Sequence, residues 1–239
     1  MSARSFARAA LLAALALSCA QPSVVREGRN VGYESAARSD LDAARALLAK
    51  GDPARAEQVL VRFQSELARS KQADEALYLM GEAQLAEKQP ERAASTWQRL
   101  VESYPKSRFN VDAAMRAATL YGELDRPDDG RRLLERSNHA SASAPQRARL
   151  FRMQADLARA SGDWPAALYA LALTRRDTSD ATQLAELDAE IGELVDGRLR
   201  EPDLDALARK LPHGPVSDRV NLELATRALR EGWLDLPTG

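Results

Sequence analysis

Few side chains stand at spacings that could support catalysis or metal binding. The two histidines, His139 and His213, lie far apart in predicted loops, with no further ligand at a metal-binding spacing. A segment from Asp125 begins like a calcium-binding loop. However, Pro127 occupies its third position and Arg136 its twelfth, where a bidentate Glu is required. We therefore predict no catalytic residue, no metal site and no cofactor, and the protein is predicted not to be an enzyme.

The single cysteine, Cys19, is the side chain with the clearest predicted chemistry. It follows Arg4, Arg8 and an uninterrupted apolar run over residues 9–17. This run is far shorter than the roughly 20 residues that a membrane-spanning helix needs. The segment is typical of a secretory signal peptide, predicted over residues 1–18. An exported protein with one free thiol would risk oxidation, which acylation of Cys19 would prevent.

Residues 16–19, Ala-Leu-Ser-Cys, resemble the lipobox of bacterial lipoproteins, with Ala16 where that family usually has Leu. The resemblance implies that Cys19 becomes the acylated first residue of the mature chain. A plain signal peptide with an incidental cysteine is the alternative. Ala20, by resemblance to lipoprotein sorting, favours the periplasmic side of the outer membrane. Residues 19–36 contain Pro22, Gly28 and Gly32, and are predicted to be a flexible tether.

The composition predicts an all-α protein. Alanine makes up roughly one residue in five, Ile191 is the only isoleucine, and aromatic residues make up 5%. These choices favour helices over strands. The charges are nearly balanced, with 34 Lys and Arg against 35 Asp and Glu, so we predict no nucleic-acid partner.

The body of the chain is a repeat with a period of 37 residues. Four similar segments begin at Gly51, Lys88, Asp125 and Gly162. Three further classes of position keep the same spacing. They are small residues (Ala56, Ala93, Gly130, Ala167), large residues four positions later (Leu60, Trp97, Leu134, Leu171) and small residues upstream (Ala44, Gly81, Ala118, Ala155). Each unit is predicted to be two helices, with Pro53, Pro90 and Pro127 at the start of the second.

This pattern resembles the tetratricopeptide repeat (TPR) family over residues 37–201, with four clear repeats. In each, a small residue of the first helix precedes that of the second by twelve positions, as in Ala44 and Ala56. The resemblance implies an all-α, TPR-like α-solenoid, a right-handed superhelix of helix-turn-helix units. The long period is predicted to lengthen the link between units around Pro105. That link, with helices such as residues 113–126, is similar to that of outer-membrane lipoproteins in the β-barrel assembly machine, the Tol–Pal cell-division system and penicillin-binding-protein activators.

The C-terminal part is less regular. Residues 202–239 are predicted to hold a degenerate repeat and then a helix over residues 217–231 that Gly232 stops. That helix either caps the array or begins a truncated repeat.

A partner-binding face is predicted on the first helices, which line the concave side in the TPR family. Spacings of three or four residues place the members of each set on one face. The predicted contacts are Arg45, Glu75, Tyr78, Glu82, Met115, Arg152 and Arg159. A solvated helix face of mixed charge is the alternative. Trp97 and Trp164 are predicted to pack between helices.

The combined prediction is a non-catalytic periplasmic scaffold, anchored to the outer membrane by lipid. Its partner would be a protein or peptide of the cell envelope, in envelope assembly or cell-wall synthesis. The alternative is the N-terminal regulatory TPR module of a longer lipoprotein similar to penicillin-binding-protein activators.

Overall fold

A computed structural model describes residues 23–26 and 28–234. In this part of the chain, a two-stranded antiparallel hairpin precedes eleven α-helices. The strands are β1 (Ser23–Arg26) and β2 (Arg29–Gly32). The first six helices are α1 (Tyr33–Ala49), α2 (Pro53–Glu66), α3 (Ala73–Ala86), α4 (Pro90–Ser103), α5 (Asn110–Glu123) and α6 (Pro127–Arg136). A 3₁₀ turn (His139–Ser141) precedes α7 (Ala144–Ala160), α8 (Trp164–Asp177), α9 (Ala181–Gly197), α10 (Glu201–Lys210) and α11 (Pro215–Leu234). The chain forms two compact units that divide between Gln89 and Pro90.

The turn inside each helix pair confirms the period of 37 residues. Gly51, Lys88, Asp125 and Gly162 all have positive φ angles, between 58° and 75°. This left-handed conformation ends a helix and is easiest for glycine, yet Lys88 and Asp125 adopt it too. The second helix then begins at Pro53, Pro90 and Pro127, whose missing N–H group costs nothing in a first turn.

Aspartate side chains cap the second helix of two repeats. Asp52 accepts a hydrogen bond from the backbone N–H of Arg55, and Asp163 accepts one from that of Ala166. In the third repeat, Asp125 occupies the left-handed turn position, and Arg126 precedes the helix without a side-chain cap.

Unit 1, up to Gln89, contains the hairpin and α1–α3. Its core includes the fully buried Leu41, Leu60 and Phe63. The hairpin and the start of α1 at Tyr33 lie inside the tether predicted over residues 19–36, which is corrected for residues 23–36. Val24 pairs with Val31, so β-branched residues on both strands stabilise structure where the glycines had indicated flexibility.

Unit 2, from Pro90 onward, contains α4–α11, and one apolar cluster extends from Ala155 of α7 to Val220 of α11. Trp97, Leu134 and Leu171 are fully buried, which confirms the predicted packing positions. At Gly130 of α6, an added Cβ would lie 3.0 Å from the backbone oxygen of Ala118 in α5. The small residues therefore allow the paired helices to approach closely.

The last three helices follow the four repeats. Leu204 of α10 is fully buried and lies 37 residues after Ala167. Helix α11 packs on α9 and α10 and runs to Leu234, so the predicted stop at Gly232 is wrong. Within the described residues, no helix has the length and apolar character needed to cross a membrane.

Candidate protein-binding groove

An open groove of about 670 Å³ lies in unit 2 between first helices of successive repeats. Helices α5, α7 and α9 provide most of its surface, and the end of α8 provides the rest. The residues that line it are Asp112, Met115, Arg116, Thr119, Ala148, Arg149, Arg152, Met153, Asp156, Thr174, Thr178, Gln183, Glu186, Leu187 and Glu190.

The structure brings together most of the face that the sequence predicts for this unit. Met115 and Arg152 both line the groove, and Arg159 lies beside it through a shared partner, Glu190. Residues three or four positions apart share a face of a helix, and α5 and α7 are equivalent helices of successive repeats. Their predicted side chains therefore face the same groove.

Glu190 of α9 is the central carboxylate of the groove. It accepts hydrogen bonds from Arg152 at 2.8 Å and from Arg159 at 2.6 Å. Arg152 also lies 3.3 Å from Asp156 on its own helix. Burial raises the pKa of Glu190, but the two arginine hydrogen bonds outweigh that effect and hold its pKa below the usual range. Two of the predicted contacts, Arg152 and Arg159 of α7, are therefore paired with α9.

We expect the Glu190→Gln variant to be less stable than the native chain by about 0.5–1 kcal/mol at pH 7, since the ion pairs are partly exposed. The lowered pKa means that this stabilisation is present above the usual glutamate pKa and is lost as the pH falls through the folded-state value. Urea unfolding at pH 7 and about pH 3 measures it. Glu193→Gln, at an exposed position of the same helix, is the control. If the unfolding free energies of Glu190→Gln and the native chain differ by the same amount at both pH values, the lowered pKa of Glu190 is contradicted.

Two charged residues of the groove have no ion-pair partner in the described part of the chain. They are Arg149 on α7 and Glu186 on α9, and both side chains are exposed. By contrast, Asp112 and Arg116 form an ion pair at 2.9 Å, and Arg152 pairs with Glu190 and Asp156. Arg149 and Glu186 are also 37 residues apart, so they occupy equivalent positions in adjacent repeats. The groove thus offers one uncompensated cation and one uncompensated anion.

Apolar side chains line the same groove as these charges. Met115 is 8% exposed and Leu187 is 4% exposed, while Met153 is half-buried. Methionine adapts its shape to different contacting groups more readily than branched side chains do. An apolar surface bordered by charges can bind an apolar side chain of a peptide and fix its orientation.

The other predicted contacts lie in unit 1, where Arg45 and Glu75 pair with each other. Arg45 of α1 donates hydrogen bonds to Glu75 of α3 and to Asp42, and the bond to Glu75 raises the pKa of Arg45. Tyr78 and Glu82 of α3 are both half-buried. The pair of Arg45 and Glu75 therefore connects the first helices of two repeats.

Sequence analysis missed Glu186 and Glu190, although a signal for Glu186 was available. Glu75 belongs to the predicted face, and successive steps of 37 residues from it give Asp112, Arg149 and Glu186. Glu190 lies off that series, and only the packing of α9 beside α7 places it between two arginines.

The residues considered for catalysis or metal binding show no such arrangement. The ring of His139 packs edge-on against Phe151, and His213 is exposed in a loop. Among the described residues, no three His, Cys, Asp or Glu side chains are placed to hold a metal ion. Cys19 and the predicted signal peptide lie outside the described residues.

Comparison with known proteins agrees with the repeated helix pairs. The family model of the tetratricopeptide repeat matches residues 75–107, which contain most of α3 and all of α4. The fold is an α-helical repeat of the tetratricopeptide type. Arrays of this TPR type present extended surfaces and are typical of protein–protein interaction scaffolds.

Two solved structures are similar to the chain at low sequence identity. The chain is similar to MamA 41-end from Desulfovibrio magneticus RS-1, with 18% identity, a TM-score of 0.45 and coverage of 84% of this chain and 98% of that one. The MamA RS-1 ArsTM double mutant gives the same identity and TM-score, with coverage of 84% and 97%. No curated protein matches the chain.

Proposed function

We propose that this protein is a non-catalytic scaffold that binds a segment of a partner protein in the groove of unit 2. The observation that carries this proposal is the combination of an apolar floor with two uncompensated charges, Arg149 and Glu186. A peptide that supplies an apolar side chain, a carboxylate and a cationic group would satisfy all three features. The TPR-type fold supports the same class of function.

We further propose that the scaffold lies on the periplasmic side of the outer membrane and acts in envelope assembly or cell-wall synthesis. Its support is the sequence before the described residues. The charged start with Arg4 and Arg8, the short apolar run and the small residue before Cys19 are together typical of an exported, lipid-modified chain. Two or more acyl chains on Cys19 would give stable membrane anchoring.

Crosslinking of the tagged native chain in intact envelopes, followed by pull-down, tests the groove. We expect Arg149→Glu and Glu186→Lys each to lower the yield of the crosslinked partner about tenfold, since a lost charged hydrogen bond costs roughly 1.5–3 kcal/mol. Both side chains are exposed, so neither change should unfold the protein. Arg209→Glu, at an exposed position of α10, is the matched control. Equal yields from all four chains would contradict binding in this groove.

A further inference from the structure

The described structure begins very close to the proposed lipid anchor. Strand β1 starts at Ser23, four residues after Cys19 (23 − 19). A fully extended chain spans at most about 3.6 Å per residue, so this connection reaches about 14 Å. The predicted tether over residues 19–36 would have reached several times further.

The hairpin cannot lengthen this connection without breaking buried ion pairs. Arg26 of β1 donates a hydrogen bond to Asp40 of α1 at 2.8 Å, and Asp40 is only 5% exposed. Asp40 also accepts a bond from Arg62 of α2 at 2.9 Å, and Arg26 pairs with Glu66. Releasing the hairpin would leave a buried carboxylate with one of its two cations, which is costly.

Two exposed cations lie at this end of unit 1, in the loop after α2. Ser23 pairs with Gly32, and the next residue, Tyr33, accepts a hydrogen bond from the backbone N–H of Arg69 at 3.1 Å. In the same loop, the backbone N–H of Lys71 donates to Glu34 at 3.3 Å. We define the basic edge as Arg69 and Lys71, whose side chains are exposed and have no ion pair within the described residues.

Two acidic groups of this part of unit 1 are already engaged. Glu34 accepts hydrogen bonds from the Ser70 hydroxyl and from the Lys71 backbone, and Glu66 pairs with Arg26. This end of the unit therefore presents two exposed cations.

We propose that the basic edge lies against the anionic headgroups of the membrane to which Cys19 is anchored. This inference rests on the proposed acylation of Cys19. A connection of at most about 14 Å keeps this end of the unit near the surface. The cations can then approach to within a Debye length of about 8–10 Å, where each Lys or Arg is attracted to anionic lipid. The contact fixes which end of unit 1 faces the bilayer.

The acylated full chain, reconstituted in vesicles of phosphatidylethanolamine and phosphatidylglycerol, provides the test. Because Cys19 is the only native cysteine, an introduced cysteine is the sole free thiol after acylation. A fluorophore is attached at Asn30→Cys on β2 or at Lys50→Cys beyond the other end of α1, which is about 25 Å long. Quenching of the fluorophore by lipids that carry a headgroup spin label is then compared between the two positions.

We expect strong quenching at residue 30 and little at residue 50. The Arg69→Glu and Lys71→Glu double variant should lose most of the quenching at residue 30, as should vesicles of phosphatidylcholine alone. Lys50→Glu is the charge control and should leave that quenching unchanged.

Two different failures are distinguishable. If the native chain stays in the membrane but residues 30 and 50 are quenched equally, the contact of the basic edge is wrong and the anchor stands. If Cys19→Ser pellets with membranes at high salt as the native chain does, the anchoring proposal itself is wrong.

Discussion

Replacing Trp97 with alanine is expected to lower the free energy of unfolding by about 3–5 kcal/mol, the usual cost of truncating a buried tryptophan. Trp97 is 0% exposed in α4, and the guanidinium of Arg116 lies 5.7 Å from the centre of its ring. The substitution removes the largest fully buried side chain of the described residues and leaves a cavity that rigid helices fill only in part.

Urea unfolding followed by circular dichroism measures this loss. The control is Val61→Ala, since Val61 is 52% exposed in α2 and its truncation should change stability by less than about 0.5 kcal/mol. A loss below about 1 kcal/mol for Trp97→Ala would contradict the repeat register, because that register assigns Trp97 to the same buried position as Leu60 and Leu134.

Sequence spacing predicted the helix pairs because the same packing problem recurs in every repeat. Each crossing needs a small residue and each core layer a large one, so the residue types carry the period directly. Lys88 and Asp125 adopt the left-handed backbone conformation of the turn although neither is glycine. The packing of the helices on either side can impose this conformation on a residue that does not favour it.

The hairpin could not be predicted from the same logic, because it occurs once and has strands of four residues. Its signals were the β-branched Val24, Val25 and Val31, while Gly28 and Gly32 indicated a loop. Cross-strand pairing stabilises it, as do the bonds from Arg26 to Asp40 and Glu66, which lie 14 and 40 residues further along the chain.

The groove was predictable as a face but its charge was not. Helical spacing placed Met115 and Arg152 on one side, and the structure confirms that they share a surface. The neutralising contact of Glu190 with Arg152 and Arg159 depends on how α9 packs beside α7. Ion pairs between helices depend on side-chain reach and packing, which residue spacing along one helix does not describe.

Replacing Asn110 with alanine is expected to lower the free energy of unfolding by about 2–4 kcal/mol, the second large effect that we predict. Asn110 is 1% exposed at the start of α5, and its amide donates to the backbone oxygens of Val101 at 3.0 Å and Tyr104 at 3.3 Å. Its side-chain oxygen accepts from the backbone N–H of Asn138 at 2.8 Å. Alanine would leave these three backbone groups without that partner, and an unsatisfied buried group costs about 1–3 kcal/mol.

A matched control isolates the buried amide from the rest of this junction. The Asn138→Ala variant keeps the backbone N–H that bonds to Asn110 and loses only an exposed bond to the Pro105 oxygen, so it should cost less than about 1 kcal/mol. Asn110→Asp keeps the acceptor but removes the donors and should resemble Asn110→Ala at pH 7. Only Asn110→Ala removes all three bonds. Equal urea midpoints for Asn110→Ala and Asn138→Ala would therefore show that the amide does not hold the start of α5 to the end of α4 and to the loop after α6.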